Sequence, residues 1–415
     1  MAPTLQVLNT KQHSSQKHVA SYMTARHITD VKDYWESVIK DQNILLSPEF
    51  LAAIEENAPK GMKFRYTIAF NDYKEAVGVV YFQVQYFNAN ESMSDKESIS
   101  SPCFFNTIHN FFKGILVKQV EFNTFVVGNL LLTGEHGFYF KPGYVNAKDE
   151  CDLVTKLAEK VQKDLEADGI QCNVCLIKDF FEETHAKCEV FIDKQFHEFT
   201  IQPNMIFKLR PEWKIMDDYL DSLHSKYRIR AKRAFKKALH ISKKVMTLVE
   251  IESHEAELYN LYLEVAENAG FNVVNLNPSY FAGLKKHLGD KFEMTGYYVD
   301  NTLVGFFTTI INGHELEAHF LGYSKKENQH SQLYLNMLFD IIAVAIEHQS
   351  TAVNFARTAL EIKSSVGAEA HEMYCYMKHR NNFSNKFFRP LLDYLNPKVE
   401  WLPRHPYKDS AVDHS

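Results

Sequence analysis

The sequence predicts a mixed α/β protein in which one layout is used twice. Three features recur in the same order in both halves at nearly constant spacing. Tyr34-Trp35-Glu36-Ser37-Val38 lines up with Leu261-Tyr262-Leu263-Glu264-Val265. Ser47-Pro48-Glu49-Phe50-Leu51 lines up with Asn277-Pro278-Ser279-Tyr280-Phe281. Lys63-Phe64-Arg65-Tyr66, leading to Ala76-Val77-Gly78-Val79, matches Lys291-Phe292-Glu293-Met294, leading to Leu303-Val304-Gly305-Phe306. Identities are few, so the shared order carries the inference of a duplicated domain. A chain of 415 residues exceeds what one core fills and suits two domains. The expected division is a mobile tail over 1–20, a first domain over 21–205 and a second over 206–415.

In each half the reading runs helix, helix, antiparallel strands, helix, strand. Asp30 is an expected N-cap for a helix with Val31, Tyr34, Trp35 and Val38 on one face. Pro48 opens a second helix, at the position where its missing N–H costs nothing. Strands follow over 64–70 and 76–87, joined at Asn71-Asp72. A loop is expected over 90–102, and 103–127 is ambiguous between helix and strand. Gly128 to Gly137 reads as a short buried strand entering a glycine turn. A helix over 148–168 and a strand over 171–178 complete this half. The second half opens with a long helix over 212–244. Leu258, Leu261, Tyr262 and Val265 then form an apolar helix stripe closed by Gly270. A helix from Pro278 to Gly289 leads into strands over 292–299, 303–311 and 316–323. A buried helix over 331–348 and a strand over 352–355 end the pattern.

Composition narrows the function classes. With 45% hydrophobic and 24% charged residues the chain is globular, and its formal charge of −6 argues against DNA as a partner while allowing a local basic patch. Six cysteines without framework spacing, and no leader-like start, point to reduced thiols in the cytoplasm. The most apolar long segment, Leu333 to His348, is interrupted by Asn336 and Asp340 and is too short to span a bilayer.

The strongest charge feature is the run Lys226, Arg228, Arg230, Lys232, Arg233, Lys236, Lys237, Lys243 and Lys244. Two readings stand side by side: a phosphate-binding face, or a solvated face balanced by Asp217, Asp218 and Asp221. The turn Thr133-Gly134-Glu135-His136-Gly137 either cradles an anion or is a tight connection; with no Lys-Ser/Thr after it, the connection is favoured. Cys172 and Cys175 have zinc-like spacing, but a strand would set them on opposite faces, and no second pair complements them, so no metal is expected. The aromatic fraction is mostly core, with lining of a lipid or acyl groove as the weaker alternative.

The order of elements resembles the GNAT acyltransferase fold, and a tandem pair with a basic segment is similar to the Fem-type family, in particular the bacterial FemAB-like proteins of peptidoglycan biosynthesis or recognition. The likeness covers roughly residues 25–400. Its most local point is Phe355-Ala356-Arg357-Thr358-Ala359-Leu360-Glu361-Ile362-Lys363-Ser364-Ser365-Val366-Gly367, where Glu361, Lys363 and Gly367 match a strand end followed by Glu-x-Lys and a glycine. The proline-glycine that usually precedes the acid is missing. The resemblance implies two tandem GNAT-like domains and transfer of an acyl or aminoacyl group to a primary amine, with a small-molecule or lipid-linked acceptor. The donor would be acyl-CoA, another acyl thioester or an aminoacyl-tRNA. The Arg/Gln-x-x-Gly-x-Gly/Ala loop that binds the coenzyme A pyrophosphate is replaced by Ser324-Lys325-Lys326-Glu327-Asn328-Gln329-His330-Ser331, without a glycine, which weighs against coenzyme A.

On this reading Glu361 accepts the amine proton and Lys363 steadies an anion, both on one face if the strand continues; a surface ion pair is the alternative. His319 is a second candidate base, with Glu317 and Tyr323 on its face by strand alternation. A hydrogen-bonded core histidine is the alternative. Arg357, Gly367 and Tyr323 would line the substrate and donor groove. Lys226, Arg230 and Arg233 would meet donor phosphates, with Gly134 and His136 a further binding turn. The competing class is a non-catalytic binding protein on a degenerate acyltransferase scaffold, which expects an exposed Glu361 and a sealed His319.

Overall fold

The computed structural model describes residues 3–8, 19–40, 42–88, 121–266, 274–386, 389, 392 and 401–409. The loop at 90–102, the ambiguous segment over 103–120, most of the 1–20 tail and the Gly270 cap lie outside the described residues. Two compact units form. The first holds Met1–Ile201, Gly270–Asn277 and Glu372–Pro397; the second holds Gln202–Ala269, Pro278–His371 and Lys398–Ser415.

The first unit strings β1 (Gln6–Val7), β2 (Ser21–Ala25), β3 (Met62–Phe70), β4 (Ala76–Asn88) and β5 (Glu121–Val127) into an antiparallel series, with β6 (Phe138–Phe140) also on β4. β7 (Cys172–Phe180) then runs parallel to β5, after a crossover through the helix Ala147–Ala167. Local chemistry sets these elements. Ser47 caps the helix Pro48–Glu56 by accepting from Phe50 N. Asn71 closes the β3–β4 turn by accepting from Tyr73 N and Glu75 N. Trp35 is fully buried and donates its indole N–H to Leu46 O at 2.7 Å. Part of the expected tail is strand, since Gln6 and Val7 pair with Tyr22 and Ser21.

The second unit repeats the order. β8 (His197–Lys208) precedes the edge strand β9 (Ser242–Val245), which pairs antiparallel with β10 (Phe292–Val299). Between β9 and β10 come a short helix, Leu248–Ser253, and the two longer helices Glu255–Ala266 and Tyr280–Leu288. β10, β11 (Thr302–Asn312) and β12 (Glu315–Tyr323) form the meander, and β13 (Ala352–Asn354) lies parallel to β12. The two-residue turn between β10 and β11 places Asp300 at φ 48° and Asn301 at φ 63°, the left-handed pair a tight hairpin needs. The buried helix Leu333–Glu347 crosses over, carrying Leu338, Ile341, Ile342 and Ala345 into the core.

Edge strand, two helices, meander, crossover helix and parallel strand therefore appear twice, which is the tandem mixed α/β order expected. The sequence did not announce how each copy is finished. β14 (Glu369–His379) follows the second unit's strands along the chain but pairs antiparallel with β7. β8 follows β7 but pairs, through Ile206 to Lys208, with β13. Each copy's last strand is thus supplied by the chain that continues from the other.

Three expected elements differ. The long helix over 212–244 is two helices, Met216–Ser222 and Ser225–Lys237, followed by β9. The break at Leu223-His224 is held by Pro406–Lys408: His224 N donates to Pro406 O and Lys408 N to Ser222 O, with a bridge between Leu223 and Tyr407. Gly128 to Gly137 contains no strand; the strand precedes it as β5. Cys172 and Cys175 share a face, both packed in one core cluster, because β7 bulges at Asn173.

Candidate active site of the second unit

β12 and β13 pair only from Glu315↔Ala352 to Glu317↔Asn354. β13 then ends, and Ala356 (φ 54°), Thr358 (φ 69°) and Ala359 (φ 49°) turn the chain away through left-handed conformations unusual for such residues. From Ala318 to Tyr323, β12 keeps a strand partner on its β11 side alone, among the described residues. It also bulges there. Ala318 pairs with Thr309 and Leu321 with Phe307, so His319 and Phe320 together face Thr308. Thr308 Oγ1 closes the bulge, accepting from Phe320 N and donating to Phe320 O, both at 2.9 Å. The result is a strand with a strand neighbour on one side only, among the described residues, beside a buried polar face.

That face is built by register. Leu316, Val353 and Phe207 point into the core under the helix Leu333–Glu347. Their neighbours Glu317, Asn354 and Ile206 therefore share the opposite face. Glu317 is 8% exposed. Its Oε1 accepts from Asn312 Nδ2 at 3.3 Å, and no ion pair joins it to a cation among the described residues. Burial pushes its carboxyl up to about 7, with the Asn312 and Asn354 amides offsetting only part of the desolvation and Glu315 adding to it. His319, half-buried, points to the same side; its Nε2 lies 2.8 Å from the hydroxyl of the fully buried Tyr280. Two residues before Ile206 on that face of β8 sits Asn204, fully buried, with neither side-chain amide atom hydrogen-bonded. A buried amide left so costs about 1–3 kcal/mol unless something fills it.

The other expected residues fall elsewhere. Glu361 and Lys363 lie on a helix, Leu360–Ser365, and not on a continued strand, so they do not share a face. Glu361 is exposed and bound to Arg404 at 3.2 Å; that hydrogen bond, helped by Leu402 N, holds its carboxyl below the usual range. A proton acceptor needs the opposite shift. Lys363 is buried, and its Nζ donates to Phe355 O (2.6 Å), Ala356 O (3.3 Å) and Arg357 O (2.5 Å), clamping the end of β13. Tyr323 is on the core side, its ring 5.8 Å from that of Tyr334 and tilted to it, because the bulge breaks the period-two relation with Glu317 and His319. Arg357 donates Nε to Gln202 O at 3.1 Å.

Gly367 has a structural task. It sits at φ 107°, and a Cβ there would meet the Tyr407 hydroxyl at 2.0 Å. Gly367→Ala is expected to destabilise the chain by about 3 kcal/mol, from strain and overpacking together, read as a lower midpoint in urea unfolding.

Gly134 and His136 belong to a buried lock in the first unit. Gly134 N donates to Asp179 Oδ2 at 3.2 Å, and Asp179 is ion-paired to Lys178, which also reaches Asn129 O and Leu132 O. The turn does cradle an anion, but it is the protein's own. His136 is kept neutral, its pKa lowered to about 4 by burial and then by Lys178. The β5–β7 strand ends that correspond to the β12–β13 ends are thus filled by Lys178 and its partners. Lys226, Arg230 and Arg233 stand on the exposed side of Ser225–Lys237.

The stretch Ser324 to Ser331 is a helix over Lys325–Ser331. Two amides of its first turn are taken: Lys325 N donates to Glu264 Oε2 at 2.9 Å and Glu327 N to Ser324 Oγ at 3.4 Å. The Glu264 carboxylate therefore sits at the N-terminus of this helix.

No protein-family model matches the chain, and no curated protein matches its sequence. Among solved structures, the crystal structure of FemX is similar at 12% identity, covering 85% of this chain and 96% of its own, with a TM-score of 0.49. The C-terminal domain of a putative lysylphosphatidylglycerol synthetase from Agrobacterium fabrum is similar at 8% identity, covering 90% and 99%, with a TM-score of 0.47. A tandem GNAT protein from the clavulanic acid biosynthesis pathway is similar at 9% identity, covering 80% and 88%, with a TM-score of 0.46. These are likenesses of chain path alone.

Proposed function

We propose that the protein transfers an acyl or aminoacyl group to a primary amine, with the reaction centre on β12 of the second unit. The observation that carries this is Glu317: a buried carboxyl with a pKa of about 7, on a bulged strand with a strand neighbour on one side only, among the described residues. Such a group accepts the proton of an incoming ammonium near neutral pH, which a normal carboxylate does poorly. The freed amine attacks an activated carbonyl, and β12 amides steady the oxyanion that forms. Tyr280 and His319 are positioned as a hydrogen-bonded pair to relay a proton to the leaving group. Asn204 supplies a donor and an acceptor to one amide or carboxyl group of a substrate.

Glu264 at the helix Lys325–Ser331 disfavours a donor held there by its pyrophosphate, so an aminoacyl ester or a thioester held elsewhere fits better than coenzyme A. The acceptor is a small or lipid-linked amine. A non-catalytic scaffold gains one observation, the exposure of Glu361, but His319 is not sealed in the core. The test is mass-spectrometric detection of new amide products when the protein meets mixed amines with acyl thioesters or with aminoacyl-tRNA. Product from either donor, lost in Glu317→Gln, supports the assignment; no product from both contradicts it.

A further inference from the structure

The helix Ser225–Lys237 carries charge that the fold itself does not use. Ala231 and Ala234 pack into the core, while Lys226, Arg230, Lys232, Arg233, Lys236 and Lys237 are exposed. None of these six has a carboxylate partner among the described residues. Nearby cations do: Arg228 pairs with Asp221, Lys243 with Asp340 and Lys244 with Glu250. The arrangement is unfavourable for an isolated helix. Like charges meet at i,i+4 in Lys226/Arg230, Lys232/Lys236 and Arg233/Lys237. The first turn has a lysine and no acid, against the dipole, while Lys236 and Lys237 in the last turn suit it. A −6 chain that gathers unpaired cations on one face presents them to an anionic surface.

The apolar residues say which kind. Ile229 is 56% exposed and stands at the middle of the basic face, with Lys226 at i−3, Lys232 at i+3, Arg233 at i+4 and Lys236 at i+7. Leu239, just beyond the helix, is 80% exposed. A phosphodiester backbone is contacted by cations and polar groups, to which an exposed apolar side chain adds nothing. An apolar side chain ringed by cations instead fits a lipid surface, where the ring meets headgroups and the centre enters the acyl boundary. We infer that this face docks on an anionic phospholipid bilayer through Lys226, Arg230, Arg233 and Lys237, with Ile229 and Leu239 inserted. This docking stands independently of the transfer chemistry proposed above.

Vesicle flotation of the full chain tests it, using phosphatidylcholine vesicles with and without phosphatidylglycerol. The chain should float only with phosphatidylglycerol, and added salt should weaken binding. The triple variant Lys226→Glu, Arg230→Glu, Arg233→Glu should abolish flotation. Ile229→Ser should lower it about tenfold, since it removes part of one buried apolar side chain. All these positions are exposed, and unchanged thermal melts would confirm that the variants fold. Absence of flotation with phosphatidylglycerol overturns the inference, as does flotation unaffected by both variants. Retention of mixed tRNA in a gel shift, lost in the triple variant and without vesicle binding, would also overturn it and assign the face to nucleic acid.

Discussion

Glu317→Gln is expected to lower the transfer rate by about 10²–10⁴-fold, the range a positioned proton acceptor contributes. Glutamine keeps the shape and the Asn312 contact but accepts no proton from an amine. In the wild type, the rate should rise with pH and reach half its plateau near about 7, the pKa that burial imposes; the residual rate of the variant should lack that inflection. The same group leaves a mark on stability without any substrate. Its folded pKa lies above its ordinary 4.5, so the folded state binds the proton more tightly than the unfolded chain. That contribution is complete below about pH 4.5 and is lost as the pH rises through about 7. The shift corresponds to roughly 3 kcal/mol. Urea unfolding at pH 5 and pH 8 should therefore show the wild type weakening between them by up to that amount, and Glu317→Gln weakening less. A variant less active and yet more stable at pH 8 is the outcome that distinguishes a functional carboxyl from a structural one.

Lys363→Met should do the reverse and damage the fold. Three carbonyls at the end of β13 converge on the buried Lys363 Nζ, where left-handed residues turn the chain. Methionine fills the space but donates nothing, and each buried carbonyl left without a donor costs about 1–3 kcal/mol. A net loss of about 3 kcal/mol is expected at pH 9, where the wild-type amine is largely neutral. Burial lowers its pKa to about 7 from 10.5, so the wild type itself loses stability as the pH falls from 10.5 toward about 7. The three acceptors work against that loss, because an ammonium carries three donors and an amine two. The gap between wild type and variant should accordingly narrow at pH 6 in urea unfolding.

Much of the architecture could be read from the residues. Pro48 with Ser47, the Asn71 and Asp300-Asn301 turns, and the apolar helix Leu333–Glu347 each state their structure locally, and repeating them in one order revealed the duplication. What local pattern does not encode is pairing between distant segments. β8 and β14 are not among the expected strands, yet each completes a sheet begun by the other copy. The chain around Leu223 reads as helix, and only Pro406–Lys408, far along the sequence, break it. The site shows the same division. His319 was visible as a polar residue in an apolar strand, but the bulge at Thr308 decides which neighbours join it, separating Tyr323 and keeping Glu317. The resemblance of the Glu-x-Lys stretch points to Glu361 as the acid. It is exposed and tied to Arg404, whereas Glu317 acquires its chemistry from burial, which no spacing reports. Asn204 gave no sequence signal at all.

The most direct measurement is a ¹³C NMR titration of the Glu317 side-chain carboxyl in the intact protein, assigned by its loss in Glu317→Gln. A midpoint near about 7 is the predicted result. A midpoint at the ordinary glutamate value of about 4.5 would mean an ionised, solvated group at neutral pH and would contradict its role as proton acceptor.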